Sequence, residues 1–266
     1  MNSQMETVGT VAQLHTAVTK GFALRETQSI QVTPSGIVGN RDFFLVDVDE
    51  HLYSVPRDPI FLGYWTSYDP LLNLFQVGRG AAIECADQVR AAGPVRRFRF
   101  DERTVDGRWV PGPWDAFISD VAGRNLRLVR CARPGGGGDI HPVTILSTAS
   151  LASLGTEADG QPVDVRRFRL NLTLDVGTTP FREDTWTGRS ITVGNCVLRL
   201  RGGIPRCVAV ENRPHDGDRA LQVQRRIREV RGATPSRWGP SVLFGAYADV
   251  VLSGRVKVGD PVQLAT

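Results

Sequence analysis

Short apolar runs of strand length recur along the chain, and polar or glycine-containing turns separate them. In the first half these runs are VAQLHTAV (11–18), SIQVTP (29–34), DFFLVDV (42–48), LNLFQV (72–77) and VRRFRF (95–100). They are rich in β-branched and aromatic residues, and motifs such as PSG and RDP end them, so each run predicts a strand. Many short strands with turns between them are typical of a barrel or a sandwich.

The texture changes after a short predicted helix, WDAFISDVAG (114–123), and a glycine-rich connection, RPGGGGD (133–139). The second half adds two helical patterns, STASLASLG (147–155) and RALQVQRRIREV (219–230). Its strand-like runs are RRFRLNLTLDV (166–176), ITVGNCVLRLRG (191–202), PRCVAVE (205–211) and the closing segment 244–264. We therefore expect a mainly β protein with some helix. A β-barrel-like unit over 1–125 would precede a second β-barrel over 126–266 that carries two or more helices.

Composition narrows the possible partners. The 266 residues are 41% hydrophobic, and no stretch approaches the roughly 20 apolar residues that a membrane helix needs. The N-terminus lacks the layout of a secretory signal, so a cytoplasmic protein without membrane contact is expected. The net charge of +4 rests on scattered arginines, with only two lysines, Lys20 and Lys257. This balance suits an anionic small ligand better than a nucleic acid.

Four cysteines occur, but none of them forms a CxxC pair, which argues against a structural zinc site. Cys207 differs from the others because it adjoins Arg206 and Pro205, just beyond two glycines. A disulfide between Cys196 and Cys207 is disfavoured in a reducing cytoplasm. The residues alone leave Cys207 open as a buried strand-end residue, a nucleophile or a soft metal ligand.

Six motifs in the second half occur in an order that resembles the MOSC domain, the module named for the C-terminal part of molybdenum-cofactor sulfurase. They are HPVTILSTASLASL (141–154), RRFRLNLTL (166–174), PFREDTWTGRSITVG (180–194), IPRCVAV (204–210), LFGAYADVVLSG (243–254) and VKVGDPVQL (256–264). In the first half, VAQLHTAVTK (11–20) and GIVGNRDFFLVD (36–47) resemble the β-barrel domain that often precedes MOSC. Together the two halves are most similar to bacterial relatives of the mitochondrial amidoxime-reducing component.

The resemblance implies a molybdenum-pterin cofactor (Mo-molybdopterin) held between the two domains, with Cys207 as the ligand of the metal. It also implies a two-electron reduction of small N-hydroxylated substrates. The sequence contains no CxxCH motif for haem and no cysteine cluster for an iron–sulfur centre. Electrons would therefore come from a separate donor protein of the ferredoxin or cytochrome type.

The resemblance assigns cofactor contacts to Arg169 and Asn171, to Lys20, Gly21 and Arg41, and to Pro205 and Arg206 next to Cys207. Arg169 and Asn171 stand two apart, so within one strand they would share a face. A solvated strand face predicts the same alternation, and exposed loop charges are the alternative for Lys20 and Arg41. The chain departs from the family at two positions, since Gly21 replaces a serine and Asn40 replaces an aspartate.

Asp139 and His141, in GGGGDIHP, match a segment that lines the cofactor site in relatives, and both are candidate proton donors for a reduction. A histidine before a proline is also a common turn residue. Two other functions stay open at this point. One is a carrier of the cofactor or of persulfide sulfur without turnover, and the other is a MOSC scaffold recruited to different chemistry.

Overall fold

The computed structural model describes residues 5–56, 58–100, 103–157, 159–219, 221–236 and 239–265. The fold is mostly β, with 46% of residues in strands and 16% in helices. The strands are β1 (Met5–Thr16), β2 (Arg25–Glu26), β3 (Ser29–Thr33), β4 (Gly36–Ile37), β5 (Phe43–Val46), β6 (Tyr64–Asp69), β7 (Leu74–Arg79), β8 (Ala82–Gln88), β9 (Ala92–Phe100), β10 (Arg103–Trp109), β11 (Arg127–Cys131), β12 (Val143–Ser147), β13 (Leu172–Asp175), β14 (Ser190–Val193), β15 (Cys196–Pro205), β16 (Thr234–Ser236), β17 (Gly239–Ser241), β18 (Leu243–Leu252), β19 (Gly254–Lys257) and β20 (Pro261–Ala265).

In the described part of the chain, three α-helices accompany them: α1 (Pro113–Ala122), α2 (Thr148–Ala152) and α3 (Val223–Arg231). Four short 3-10 turns lie at Ile60–Gly63, Val165–Phe168, Arg182–Trp186 and Val208–Glu211. Among the described helices, none is long and apolar enough to cross a membrane.

Seven strands close into a barrel in the order β13-β12-β18-β15-β14-β20-β1, and pairing of β1 with β13 completes the ring. Neighbouring strands are antiparallel except for β12 and β13, which run parallel. Small and branched apolar side chains from every strand fill the interior, among them Leu14, Leu172, Leu198, Ala246 and Val262. The mainly β fold with a barrel and helices is confirmed.

The remaining strands form smaller sheets beside the barrel. The order β5-β11-β10-β9 makes a four-stranded sheet, and β6-β7-β8 makes a three-stranded one. Aromatic side chains pack between these sheets and α1, including Phe43, Phe75 and Trp114. The first strand of the chain thus belongs to the barrel, while β11 belongs to the four-stranded sheet. The division into units at 125/126 stays a prediction.

Two predicted strands differ from the structure, and both differences lie next to the candidate site. Segment 166–176 begins as a 3-10 turn, because the Asp164 carboxylate accepts the Arg166 N–H at 2.9 Å. The strand starts only at Leu172. Segment 205–211 is not a strand, since β15 ends at Pro205, which has no N–H for a ladder, and the chain turns over Val208–Glu211. Cys207 therefore lies between a strand and a turn.

The third helix begins four residues later than predicted, at Val223 instead of 219. The Glu211 carboxylate accepts the backbone N–H groups of Val223 at 2.6 Å and Gln224 at 2.9 Å, so its charge satisfies the helix N-terminus. Gln224 in turn donates its side-chain amide to the Arg206 carbonyl at 2.7 Å. This chain of contacts fixes the segment that carries Cys207 against α3.

Candidate functional site

A cleft of about 270 Å³ lies where the barrel meets the smaller sheets. Eight of the ten predicted site residues line it, namely Lys20, Gly21, Arg41, Asp139, Arg169, Pro205, Arg206 and Cys207. These residues are spread over nearly 190 positions of the sequence, yet in the folded chain they line the same cleft. Leu52, Val55, Ile204 and Val210 add apolar surface. The cleft is thus lined by both cationic and apolar side chains.

The loop after β1 places Lys20 and Gly21. The Lys20 N–H donates to the Phe43 carbonyl at 2.8 Å, which anchors the loop to β5. Gly21 has φ +93°, and a Cβ at this position would lie 3.3 Å from the Tyr53 ring. A serine here would be strained in the backbone and crowded by Tyr53, so the departure from the family pattern has a local cause.

The second departure is also explained by a contact. The Asn40 side-chain oxygen accepts the Ala17 N–H at 3.0 Å, and the next residue, Arg41, donates its own N–H to the Ala17 carbonyl at 2.6 Å. An amide oxygen serves this turn as a carboxylate would, because only an acceptor is needed. Arg41 adopts φ 58° and is almost fully buried. Its guanidinium points into the cleft.

Arg169 and Arg206 complete the cationic wall from the barrel side. Arg169 ends the 3-10 turn with φ 54° and donates to the Phe22 carbonyl at 2.7 Å. Its own carbonyl accepts Arg41 Nη2 at 2.8 Å, so the two arginines are linked. Arg206 donates to the carbonyls of Phe244 and Phe168 at 2.7 and 2.9 Å. The hydrogen-bond acceptors of the Arg41, Arg169 and Arg206 guanidinium groups are therefore neutral backbone carbonyls, with one exception.

The exception is Asp139, whose carboxylate lies 3.2 Å from Lys20 Nζ and 3.2 Å from Arg41 Nη1. Partial removal from water inside the cleft would by itself raise the pKa of this carboxyl, but the charges of Lys20 and Arg41 outweigh that effect and hold the pKa well below its usual range. Asp139 therefore stays ionised at neutral pH. A group in that state is a poor proton donor, which argues against the proton-donor role predicted for Asp139.

Apart from Arg167, which also lines the cleft but pairs with Glu157, four cationic side chains share the cleft with this single carboxylate, namely Lys20, Arg41, Arg169 and Arg206. Burial lowers the pKa of Lys20, and it also lowers the pKa of Arg169 and Arg206, with the Arg41 charge adding to each effect. Two buried donors, Arg41 Nε and Arg206 Nη2, have no hydrogen-bond partner among the residues that the structure describes. Buried donors are almost always paired, so unpaired ones call for an acceptor that the protein itself does not provide.

Cys207 lies at the mouth of the cleft and is exposed, whereas Cys131 and Cys196 are buried. All four cysteines are free thiols, and Cys207 is the one that lines the cleft. Its carbonyl accepts the Val210 N–H at 3.3 Å, which closes the turn that follows β15. This exposure removes the interpretation of Cys207 as a buried strand-end residue.

His141 and Asn171 lie outside the lining of the cleft. Asn171 is buried. Its side-chain oxygen accepts the Thr144 hydroxyl at 3.0 Å and its side-chain nitrogen donates to the His15 carbonyl at 3.3 Å, so it ties β1 to β12. The same-face argument for Arg169 and Asn171 is wrong, because a 3-10 turn with a left-handed residue replaces the expected strand. His141 Nδ1 pairs with the Asp249 carboxylate at 2.6 Å instead.

Tyr247 connects His141 to the cleft and was missed as a site residue. Its ring lies 5.0 Å from the His141 ring, and its side chain lines the cleft between Asp139 and Arg206. Burial and the Asp139 charge raise the pKa of the Tyr247 hydroxyl, so it stays protonated at neutral pH. The signal was available in LFGAYADVVLSG, where small residues flank a single tyrosine on β18.

Comparison with known proteins assigns the family. A family model described as the MOSC domain matches residues 133–263. The mitochondrial amidoxime reducing component 2 of Macaca fascicularis is 31% identical over 291 residues, which is 97% of this chain and 84% of that protein. The chain belongs to the MOSC domain family. The MOSC match contains β12 to β20 of the fold except for the last residues, and it includes the Cys207 turn.

Other relatives of this MOSC protein match over a shorter span. The mitochondrial amidoxime reducing component 2 of Bos taurus is 37% identical over 128 residues, which is 47% of this chain and 37% of that protein. The chain therefore spans little more than a third of the first curated relatives it matches. Among solved structures, the YuaD protein of Bacillus subtilis aligns over 98% of the chain at 12% identity, with a TM-score of 0.42.

Proposed function

We propose that this chain is a molybdenum-cofactor-dependent oxidoreductase that reduces N-hydroxylated compounds with electrons from a separate donor protein. The MOSC assignment and the similarity to amidoxime reducing components support a function related to the molybdenum cofactor. The observation that carries the proposal is the cleft itself. It combines an exposed thiol with unbalanced, buried positive charge.

The donor set suits a pterin cofactor with a phosphate and a soft metal. Arg41 Nε and Arg206 Nη2 are buried and unpaired, so phosphate oxygens would complete their hydrogen bonding. Lys20 and Arg169 add charge from two sides. Cys207 supplies a thiolate, which is a ligand that soft metal centres prefer.

In this reaction the N–O bond breaks, the substrate takes up two electrons and two protons, and water leaves. The bound cofactor would supply the two electrons, after its reduction by the donor protein. The chain's own residues would bind the substrate, exclude water and deliver protons. Tyr247 has a protonated hydroxyl in the cleft, and His141 lies behind it on the Asp249 carboxylate. These two side chains suit proton delivery better than the ionised Asp139.

The test compares wild type with Cys207→Ser, both purified from a host that makes the molybdenum cofactor. Metal content, pterin fluorescence and reduction of an N-hydroxylated amidine by a chemical electron donor are measured on each protein. Near-stoichiometric molybdenum and turnover are expected for wild type, and both should be lost in Cys207→Ser. Cys85→Ser is the matched control, because Cys85 lies on β8 away from the cleft and should leave both unchanged.

Three results would separate the proposal from the alternatives. Full turnover in Cys207→Ser would contradict the role of Cys207 as the metal ligand. Molybdenum that binds to wild type but is never reduced and reoxidised would favour a carrier of the cofactor. Wild-type protein without metal or pterin would favour a MOSC scaffold recruited to different chemistry.

A further inference from the structure

Asp139 holds the position that an anionic ligand would take in the cleft. Its carboxylate contacts Lys20 and Arg41 at 3.2 Å each. It is also the one acidic side chain that lines the cleft in the described part of the chain. Its side chain is 42% exposed, so it faces the open space of the cleft and does not fill a tight internal site. A phosphate that bound these cations would meet Asp139 as a competitor.

The cations are only partly satisfied by this carboxylate. Arg41 Nε and Arg206 Nη2 remain unpaired, and Arg169 has no anionic partner among the described contacts. One carboxylate therefore balances one charge of four. A ligand with two negative charges and three or more acceptor oxygens would satisfy more of these donors than Asp139 does. A ligand with a single charge would gain little by replacing it.

The segment that carries Asp139 is held in place independently of the carboxylate. The Gly137 N–H donates to the Arg41 carbonyl at 3.1 Å, and Arg103 donates to the carbonyls of Gly136 and Gly138. A Cβ at Gly137 would come within 2.4 Å of the Arg41 carbonyl oxygen, so glycine permits the close approach. Only the Asp139 side chain therefore needs to rotate to release Lys20 and Arg41.

We propose that Asp139 is the resident counter-ion of this cleft and sets its anion specificity. A phosphate dianion displaces its carboxylate from Lys20 and Arg41, whereas monoanions do not. This inference rests on the proposed function for the choice of phosphate, but it concerns the anion site alone. It is tested without the metal, on full-length protein purified from a host that makes no pterin cofactor.

The experiment measures the affinity for inorganic phosphate by isothermal titration calorimetry at pH 7.5. Asp139→Asn removes the competing charge with little change in shape, so we expect phosphate affinity to rise by about tenfold or more. Asp139→Glu keeps the charge and should bind phosphate about as weakly as wild type. Asp106→Asn is the matched control, because it removes a carboxylate that pairs with the exposed Arg97 outside the cleft. It should change the affinity by less than about twofold.

The specificity is read from nitrate, a monoanion, in the same titrations. Wild type should bind phosphate and show no nitrate binding, whereas Asp139→Asn should bind both, so that the discrimination falls. Unchanged or weaker phosphate affinity in Asp139→Asn would overturn the proposal, as would equal discrimination in the two proteins. Molybdenum content is measured separately on cofactor-loaded protein. A lack of molybdenum with the expected phosphate result would therefore contradict only the proposed function.

Discussion

Arg167 and Arg169 are two residues apart on the same turn, but only Arg167 has a carboxylate partner among the described contacts. Arg167 is nearly inaccessible, and its guanidinium makes two hydrogen bonds to the Glu157 carboxylate at 2.7 and 2.8 Å and one to the Glu211 carbonyl at 2.9 Å. Arg169 faces the cleft, and the Phe22 carbonyl is the partner it finds. The first charge is balanced inside the protein, and the second is not.

The backbone repeats this difference. Arg169 and Arg41 both adopt positive φ, a conformation that costs a non-glycine residue about 1–2 kcal/mol. These two arginines line the same cleft, where Arg169 has only neutral partners among the described contacts and Arg41 shares the Asp139 carboxylate with Lys20. Arg167, on the same turn as Arg169, has no positive φ and has a carboxylate of its own. Strain and unbalanced charge at one place are typical of a binding site, since both lower stability without a bound partner. Arg167 stabilises the fold, and Arg169 prepares a ligand site.

The largest effect is expected from breaking the Arg167 pair. Glu157→Gln leaves a buried guanidinium without its counter-charge, and the free energy of unfolding should fall by about 3 kcal/mol. Urea denaturation followed by tryptophan fluorescence measures the change. Asp106→Asn is the control, because its partner Arg97 is 72% exposed and such pairs contribute about 1 kcal/mol or less. Equal effects of the two substitutions would show that burial does not distinguish these pairs.

The same pair predicts the response to acid. The hydrogen bonds from Arg167 lower the pKa of Glu157 below its usual value. The stabilisation is therefore complete above the unfolded carboxyl pKa of about 4 and is lost as the pH falls through the lowered folded value. Wild type should lose stability in this window, and Glu157→Gln should lose less of it. Parallel curves of stability against pH for the two proteins would contradict this assignment.

Replacing Arg169 should have the opposite sign. Arg169→Gly relieves the positive φ and removes a buried charge, so the ligand-free protein should gain about 1 kcal/mol of stability. Phosphate affinity should fall about tenfold with the loss of one charge-assisted hydrogen bond. Glu50→Gly relieves a positive φ of 62° outside the cleft, although it also removes the ion pair with Arg96, and it should leave phosphate binding unchanged. A destabilised Arg169→Gly protein would mean that Arg169 supports the fold as Arg167 does.

The contrast between these arginines also marks the limit of the sequence. The alternation of apolar and polar residues and the turn residues predicted the β-rich fold, because they reflect burial along each strand. The ordered motifs named ten site residues, and eight of them line the same cleft. The sequence RRFRLN gave no sign that Arg167 would pair with a carboxylate and that Arg169 would have no anionic partner among the described contacts. That difference depends on Glu157 and Phe22, which are distant in sequence and meet the turn only in the folded chain.

Asn171 and Cys207 show the same limit at the level of local structure. The RFRLN segment alternates as a strand would, yet Asp164 caps a 3-10 turn and turns Asn171 into the core. Around Cys207 the run VAV predicted a strand. Instead, β15 ends at Pro205, and the Glu211 carboxylate accepts a backbone N–H at the start of α3. In both cases one polar contact to a backbone N–H outweighed the apolar pattern.

The smallest expected effect concerns the pH dependence of anion binding at Lys20. Burial and neighbouring arginines lower the pKa of this lysine, so it should lose its proton at a lower pH than an exposed lysine does. Phosphate affinity should weaken as the pH rises through that value, by at most about tenfold, because one charge-assisted hydrogen bond is lost. Lys20→Arg keeps its charge over this range and should flatten the curve, and titration calorimetry between pH 7 and 10 measures both proteins. If phosphate affinity declined equally with pH in the two proteins, the titrating group would not be Lys20. The charge of Lys20 would then be balanced inside the protein, as the charge of Arg167 is.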